Sequence, residues 1–308
     1  MISETYQLWD DREDVKLTTF LHAGSPIPEI RRKRPAVLVI PGGAYLDCLR
    51  NGAEADTIAY TFAMDGFHTF VLQYSVKTTA PEGKTLFPAQ LLDYGKAILF
   101  IREHAEEWCV DVDKISIIGF SAGGHLCAMV GTTWHTDLLS GFFHEDPKVF
   151  KPLCVMCIYA VLDYLNWWET RRPEEDFFSY VFGSRNPDRE LLKQYSPVYL
   201  VNENTPPFFL AAARDDTLVP AVETLDMAQA LHKAGIPYEL YMCENGDHGF
   251  SLGRDFFEPW ALEKAHSCAA WVPLAKTFLM HQVNPSTAED EKEVFKKLME
   301  VLPPPKRD

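Results

Sequence analysis

Apolar positions recur along this chain with two periods. Ala36-Val-Leu-Val-Ile40 is apolar throughout and bounded by Pro35 and Pro41, the pattern of a strand buried on both faces. Phe67–Tyr74, Lys114–Gly119, Val155–Ala160, Pro207–Ala213 and Tyr238–Cys243 have strand length and β-branched or aromatic content. Between them the spacing becomes helical: Gly52–Met64, Pro88–Trp108 (with Leu91, Leu92, Ala97, Ile98 and Ile101 on its stripe), Ala122–Trp134 and Ala221–Ala234. Strand alternating with helix predicts a mostly parallel, doubly wound sheet covered on both faces. Ahead of it, Thr5–Trp9 and Val15–Leu21 flank the acidic turn Asp10–Asp14 and predict an antiparallel hairpin. Behind it come a helical region from Phe256 to His281 and a charged helix, Glu289–Leu302, with Val294, Leu298 and Val301 on one side.

The alternation breaks twice. Trp134–Lys151 is polar and aromatic-rich and reads as a loop. Val161–Asn204 carries Trp167, Trp168, Phe177, Phe178, Tyr180 and Phe182 among charges and does not fit another strand–helix unit. A segment that long inside a compact domain is usually functional, so 161–204 is expected to form a small helical cap over a site. With no internal repeat or low-complexity linker, the 308 residues read as one domain with that insertion and a helical tail over 285–308. The tail would pack on the body or on a second subunit, which leaves a homo-oligomer open.

Charge narrows the partners. A net charge of −15 argues against nucleic acid or an anionic membrane surface. The basic run Arg31-Arg-Lys-Arg34 lies in a Pro-rich stretch and reads as a solvated loop. No apolar run approaches bilayer length, and Met1–Gln7 lacks the basic and apolar regions of a signal peptide, so a cytoplasmic location is expected. Cys154 and Cys157 form a C-x-x-C, but on a strand residues three apart point to opposite faces. They read as buried reduced thiols rather than a redox or zinc pair. The histidines show no ligand spacing, and neither metal nor cofactor is called for.

One stretch concentrates chemistry. In Ile115–Gly124 a β-branched run stops at Gly119 and is followed by Phe120-Ser121-Ala122-Gly123, the G-x-S-x-G of a nucleophile elbow. A serine hydroxyl needs a base, and the base needs an acid that orients it. Both follow in order at strand ends: Asp215-Asp216 after Pro207–Ala213, and His248 in a Gly-flanked loop after Tyr238–Cys243. Spacing alone leaves the choice between the adjacent acids open; Asp215 would otherwise pair with Arg214 or cap the next helix. Asp247 is adjacent to its histidine and has poor geometry for Nδ1. Pro41-Gly42-Gly43-Ala44-Tyr45 leaves the first central strand, where main-chain N–H groups of Gly43 and Ala44, with that of Ala122, would form an oxyanion hole.

Taken as a set, Pro41-Gly-Gly-Ala-Tyr45, Pro88-Ala-Gln with Asp93, Gly119-Phe-Ser-Ala-Gly-Gly-His125, Ser196-Pro197, Asp216-Thr-Leu-Val-Pro220 and Gly246-Asp-His-Gly-Phe250 resemble the acetyl esterase/lipase group of α/β-hydrolases, which includes acetylxylan-esterase-like and feruloyl-esterase-like enzymes. The resemblance spans about residues 35–280. It implies the α/β-hydrolase fold and places the triad acid on Asp216. Two departures stand out: proline opens the oxyanion motif where histidine is commoner, and Asp247 replaces a usual glycine, where it would perturb His248 or contact substrate. His125, four residues after the serine, reads as a core residue or a donor to a nearby carbonyl. The expected activity is a serine carboxylic-ester hydrolase working through an acyl-enzyme. Its implied substrates are acetyl or other short acyl esters of xylan-type oligosaccharides, met by Tyr45, Trp167 and Trp168. Feruloyl or aryl esters, and amides of the arylformamidase kind, are the alternatives on the same triad. A non-catalytic relative of the fold is disfavoured because no triad member is missing.

Overall fold

A computed structural model of the chain describes residues 1–24, 33–48, 52–171, 175–253 and 265–284. Eight strands form one sheet in the order β1-β2-β4-β3-β5-β6-β7-β8. The hairpin β1 (Thr5–Trp9) and β2 (Arg12–Phe20) is antiparallel, and β2 joins β4 (His68–Gln73) antiparallel as well. From β4 onward every pair is parallel, through β3 (Arg34–Ile40), β5 (Val110–Phe120), β6 (Val155–Ile158), β7 (Phe208–Ala213) and β8 (Tyr238–Cys243). This is the mostly parallel, doubly wound sheet that the alternation predicts, with the expected antiparallel hairpin at its edge.

Why both faces are covered is visible in the central strands. On β3, Ala36, Leu38 and Ile40 enter one core while Val37 and Val39 enter the other; on β5, Ile115 and Ile117 oppose Ile118 and Phe120. All of these are buried, and each large apolar side chain contributes about 1.5–3 kcal/mol relative to exposure. One face is covered by α1 (Asp56–Ala63) and α10 (Trp271–Val283) through Ile58, Phe62, Trp271 and Phe278. The other is covered by α2 (Ala89–Glu103), α3 (Ala105–Trp108), α4 (Ala122–Thr133) and α9 (Ala221–Lys233). Among the described residues no helix is long and apolar enough to cross a membrane.

Several expectations change in detail. Trp134–Lys151 is not a plain loop: it holds α5 (Asp137–Phe143), capped by Thr136, and a 3-10 turn at Pro147–Phe150. Two turns are too short for a helical period to register, and Phe143 is held tertiarily, stacked on Trp9 with ring centroids 6.2 Å apart. The long helix read from Pro88 to Trp108 divides into α2 and α3, and Cys109 closes the second with a left-handed φ of 57°. Of the helical region expected from Phe256, the described part is a 3-10 segment at Ala265–Ala270 followed by a helix from Trp271, and residues 256–264 lie outside the described residues. The expected tail helix Glu289–Leu302 and the basic residues Arg31 and Arg32 lie outside the described residues. Cys154 and Cys157 are free, buried and on opposite faces of the sheet. Cys243 and Cys268 are joined in a disulfide across 25 residues of chain, a pairing that no spacing signalled.

Between β6 and β7 the insertion contributes α6 (Tyr164–Arg171), α7 (Glu175–Phe182) and α8 (Arg189–Gln194). Ser196 fastens its end to its beginning: its Oγ donates to Leu192 O at 2.7 Å and accepts from Tyr164 N at 2.9 Å. Its departure from β6 rests on a buried acid in the first turn of α9. Leu162 N and Asp163 N donate to Glu223 Oε2 at 2.9 and 3.1 Å, while Oε1 has no hydrogen-bond partner among the described residues. Burial raises the Glu223 carboxyl to about 8; the two backbone donors oppose that shift, and the Asp163 and Asp216 carboxylates add to it. The unfolded chain therefore releases this proton first. The stability the group contributes is complete below about pH 4.5 and is lost as pH rises towards about 8. Unfolding free energies of the wild type, measured by urea titration, should decline across that window relative to Glu223→Gln, by an amount on the order of a few kcal/mol at most. Parallel pH profiles for the two proteins would refute a raised Glu223.

Candidate active site

The turn from β5 into α4 is forced by contact. A β-carbon built on Gly123 would lie 2.1 Å from Ile40 O and 2.4 Å from Pro41 O, and one on Gly119 would lie 2.2 Å from Gly123 O. Only glycine lets strand, helix and the end of β3 pass so closely. Between them Ser121 adopts φ 51° and ψ −118°, a sparsely populated conformation for a residue with a side chain. Its main chain is held on both sides, with Ser121 N donating to Ile158 O at 3.0 Å and His125 N to Ser121 O at 2.9 Å. The hydroxyl is thereby lifted above the carboxyl ends of the strands.

Two loops deliver its neighbours. His248 Nε2 lies 2.9 Å from Ser121 Oγ, and His248 Nδ1 lies 2.8 Å from Asp216 Oδ2. A carboxylate only accepts, so Nδ1 carries the proton, Nε2 is the acceptor, and the serine hydroxyl donates to it. The Asp216 side chain is 1% exposed and that of His248 15%. Asp216 Oδ1 meanwhile accepts from Leu218 N and Val219 N at 2.9 and 2.8 Å, which fixes the carboxylate's rotation.

The adjacent acids have structural duties that the sequence did not separate. Asp215 neither pairs with Arg214 nor caps a helix in these contacts; its Oδ1 accepts from Gly246 N and Asp247 N at 2.8 and 2.9 Å. Asp247 reaches the other way, accepting from Thr217 N and Thr217 Oγ at 2.8 and 2.7 Å and from His248 N at 2.8 Å. The loop of the acid and the loop of the histidine are thus braced reciprocally.

After β3, Gly43, Ala44 and Tyr45 all take positive φ (129°, 54° and 55°), turning the loop back over the serine. A β-carbon on Gly42 would lie 3.1 Å from Ser121 Cβ. Gly43 is half-buried and Ala44 exposed, whereas the side chain of Tyr45 is fully buried. Tyr45, expected at the substrate, instead donates its hydroxyl to His125 Nδ1 at 2.7 Å, and His125 Nε2 donates to Tyr195 O at 2.8 Å. Burial lowers His125 to about 4, so it is a neutral core residue that donates to a carbonyl. Trp167 is likewise in the core, with its indole N–H on Leu218 O at 2.9 Å, beside the loop of Asp216. Trp168 is half-buried against Phe178. An aromatic residue near a site reads the same in sequence whether it packs or faces ligand, and here two of the three pack.

Two residues near the serine carried no sequence signal. Glu54 is buried, accepting from Gly42 N at 2.8 Å and from Tyr159 OH at 2.6 Å. Burial raises its carboxyl above the ordinary value; the bonds from Tyr159 and Gly42, and the charge of a protonated His248, oppose that. Tyr159 sets its ring edge-on to His248 at 5.0 Å, and its hydroxyl accepts from Ser251 N at 3.1 Å. A tyrosine at the end of an apolar strand reads in sequence as one more core residue.

The geometry agrees with what the chain resembles. It is 32% identical over 231 residues to endo-1,4-beta-xylanase B of Butyrivibrio fibrisolvens, covering 74% of this chain and 34% of that protein. With the acetylxylan esterase of Xylanibacter ruminicola it shares 28% identity, over 72% of this chain and 42% of the relative. The chain thus spans between a third and a half of the length of these relatives. Its fold superposes on the acetyl ester-xyloside bifunctional hydrolase from Caldicellulosiruptor lactoaceticus with a TM-score of 0.68 and 28% identity, covering 89% of this chain and 96% of that one. The BD-FAE family model matches residues 27–231, well over half the chain. By the match of that family model, and in keeping with its sheet order and its elbow, the chain belongs to the BD-FAE family and has the α/β-hydrolase fold.

Proposed function

We propose that this protein is a serine carboxylic-ester hydrolase that works through an acyl-enzyme and removes acetyl or other short acyl groups from carbohydrate esters. The observation that carries the reading is the hydrogen-bonded line Asp216–His248–Ser121 at the carboxyl ends of the strands. Ser121 Oγ attacks the ester carbonyl while His248 Nε2 takes its proton; the imidazolium then protonates the leaving alcohol. Water, deprotonated by His248, attacks the acyl-serine and releases the acid. Asp216 keeps Nδ1 protonated and stabilises the transient imidazolium. The oxyanion is received by main-chain N–H groups of Gly43, Ala44 and Ala122. In support, the glycine loop packs on Ser121, and Ala122 is the first residue of α4, whose N–H lacks an intrahelical acceptor.

The carbohydrate part of the reading is supported by the acetylxylan esterase and the acetyl ester-xyloside hydrolase among the relatives. The insertion's aromatic rings mostly pack on one another and on the core, so they do not favour an aryl acyl group. Feruloyl esters and amides therefore enter as arms of the test.

Hydrolysis of p-nitrophenyl acetate should fall about 10⁴-fold or more in Ser121→Ala, and a fluorophosphonate probe should label the wild type at Ser121 alone. Undiminished turnover in the variant would sink the reading. In a panel of acetylated xylo-oligosaccharides, short acyl esters, feruloyl esters and anilides, the first two classes should give the highest kcat/KM; a preference for anilides would make the protein an amidase.

The two adjacent acids should separate sharply. Asp216→Asn should cost about 10⁴-fold in kcat at neutral pH by reversing the histidine tautomer. Asp215→Asn should stay within about tenfold, because an amide oxygen still accepts from Gly246 N and Asp247 N. Equal losses in steady-state assays would contradict the assignment of Asp216.

A further inference from the structure

Behind the triad, a run of buried hydrogen bonds joins the glycine loop to the histidine loop without using any triad atom. Gly42 N donates to Glu54 Oε2 and Tyr159 OH to Glu54 Oε1, at 2.8 and 2.6 Å. Ser251 N donates to Tyr159 OH at 3.1 Å, and Ser251 Oγ returns to Ala53 O at 3.0 Å, closing a ring of contacts beside Glu54. Trp271 Nε1 donates to Ser251 O at 2.7 Å and ties the ring to α10. Glu54, Tyr159 and Ser251 are 6%, 1% and 0% exposed. Tyr159 and Ser251 both hold left-handed backbones, with φ of 40° and 42°. Side-chain-bearing residues keep such conformations only where their surroundings impose them.

A buried carboxylate is a costly way to satisfy one peptide N–H, and what it touches gives a reason for its presence. Gly42 precedes the two residues whose N–H groups would receive the oxyanion, so the tilt of its peptide sets their direction. Three residues before Ser251 stands His248, whose ring rests against Tyr159. One acid therefore bonds the loop that carries the oxyanion donors and, through Tyr159, reaches the seat of the base.

We propose that Glu54 and Tyr159 are a positioning pair: the Glu54 carboxylate aims the Gly42–Ala44 peptides at the oxyanion and, through the Tyr159 hydroxyl, holds them in register with His248. The inference rests on the esterase reading of the same site. Electrostatic stabilisation by main-chain donors depends on their being aimed before the reaction begins, so a loosened pair lowers the rate of the chemical step and leaves ground-state binding intact.

The test uses Tyr159→Phe, Glu54→Gln and the double variant of the full chain, with p-nitrophenyl acetate as substrate. Tyr159→Phe keeps the ring beside His248 and should lower kcat about tenfold; Glu54→Gln should lower it about 10- to 100-fold, with KM within about threefold in both. The double variant should be no worse than Glu54→Gln by more than about threefold, because the two residues act as one unit. Affinity for an aryl trifluoromethyl ketone, which captures Ser121 as a hemiketal oxyanion, should fall by the same factor as kcat/KM. Wild-type kcat in a folded Tyr159→Phe would overturn the proposal even if Glu54→Gln failed to fold. Multiplicative losses in the double variant, or unchanged ketone affinity, would also overturn it by reducing the pair to separate packing residues. A wild type that hydrolyses no ester would overturn the esterase reading instead, and this inference with it.

Discussion

Everything in the site depends on one close passage, where Gly123 of α4 lies against the carbonyls of Ile40 and Pro41 at the end of β3. That contact brings three segments to one point: the strand that ends in Ser121, the helix that leaves it and the glycine loop above it. A single methyl group at Gly119 or Gly123 has no room, so the neighbouring chains would have to move apart. The unusual backbone of Ser121 follows from the same crowding. Its conformation, costing on the order of 1–3 kcal/mol, is held by a main-chain bond to Ile158 and by the buried strands on either side. The site is therefore as rigid as the sheet beneath it.

Around that point, acids serve chiefly as acceptors for main-chain N–H groups. Asp215, Asp216, Asp247, Glu54 and Glu223 together receive backbone donors from the acid loop, the histidine loop, the glycine loop and the start of the insertion. Loops that leave a parallel sheet have N–H groups with no ladder partner, and an unsatisfied buried donor costs about 1–3 kcal/mol. A carboxylate can take several donors at once, which explains why acids cluster where loops converge. Asp93 does the same after β4, binding Ser75 N and the Trp9 indole. The insertion is fastened to the same loops, by Trp167 on Leu218 O and by Tyr180 OH on Ala44 O at 3.1 Å.

Much of this was legible in the chain. The fully apolar run Ala36–Ile40 marked β3 as a central strand because burial on both faces leaves no polar alternation. The order of glycine loop, serine, acid and histidine could be read because each follows a strand-like run. Other features were silent. The helix α5 is too short to show a period. Spacing did not separate Asp215 from Asp216, because which of two adjacent side chains points into the sheet end is a difference of one residue in register; the family resemblance alone placed the acid on Asp216. Tyr45, Trp167 and Tyr159 are aromatic residues of similar sequence surroundings, yet two close the core and the third sits beside His248.

The sequence by itself determined the mostly parallel sheet, which follows from local periodicity, and its ordered motifs carried the resemblance to a family of α/β-hydrolases. Tertiary structure alone decided which carboxylates face which loops, where the insertion's aromatics turn, and that Glu54 lies beneath the glycine loop. Those relations join residues far apart in the chain, 105 positions in the case of Glu54 and Tyr159. Directional bonds of under 3 Å between distant segments depend on how the strands are stacked, which no local pattern encodes.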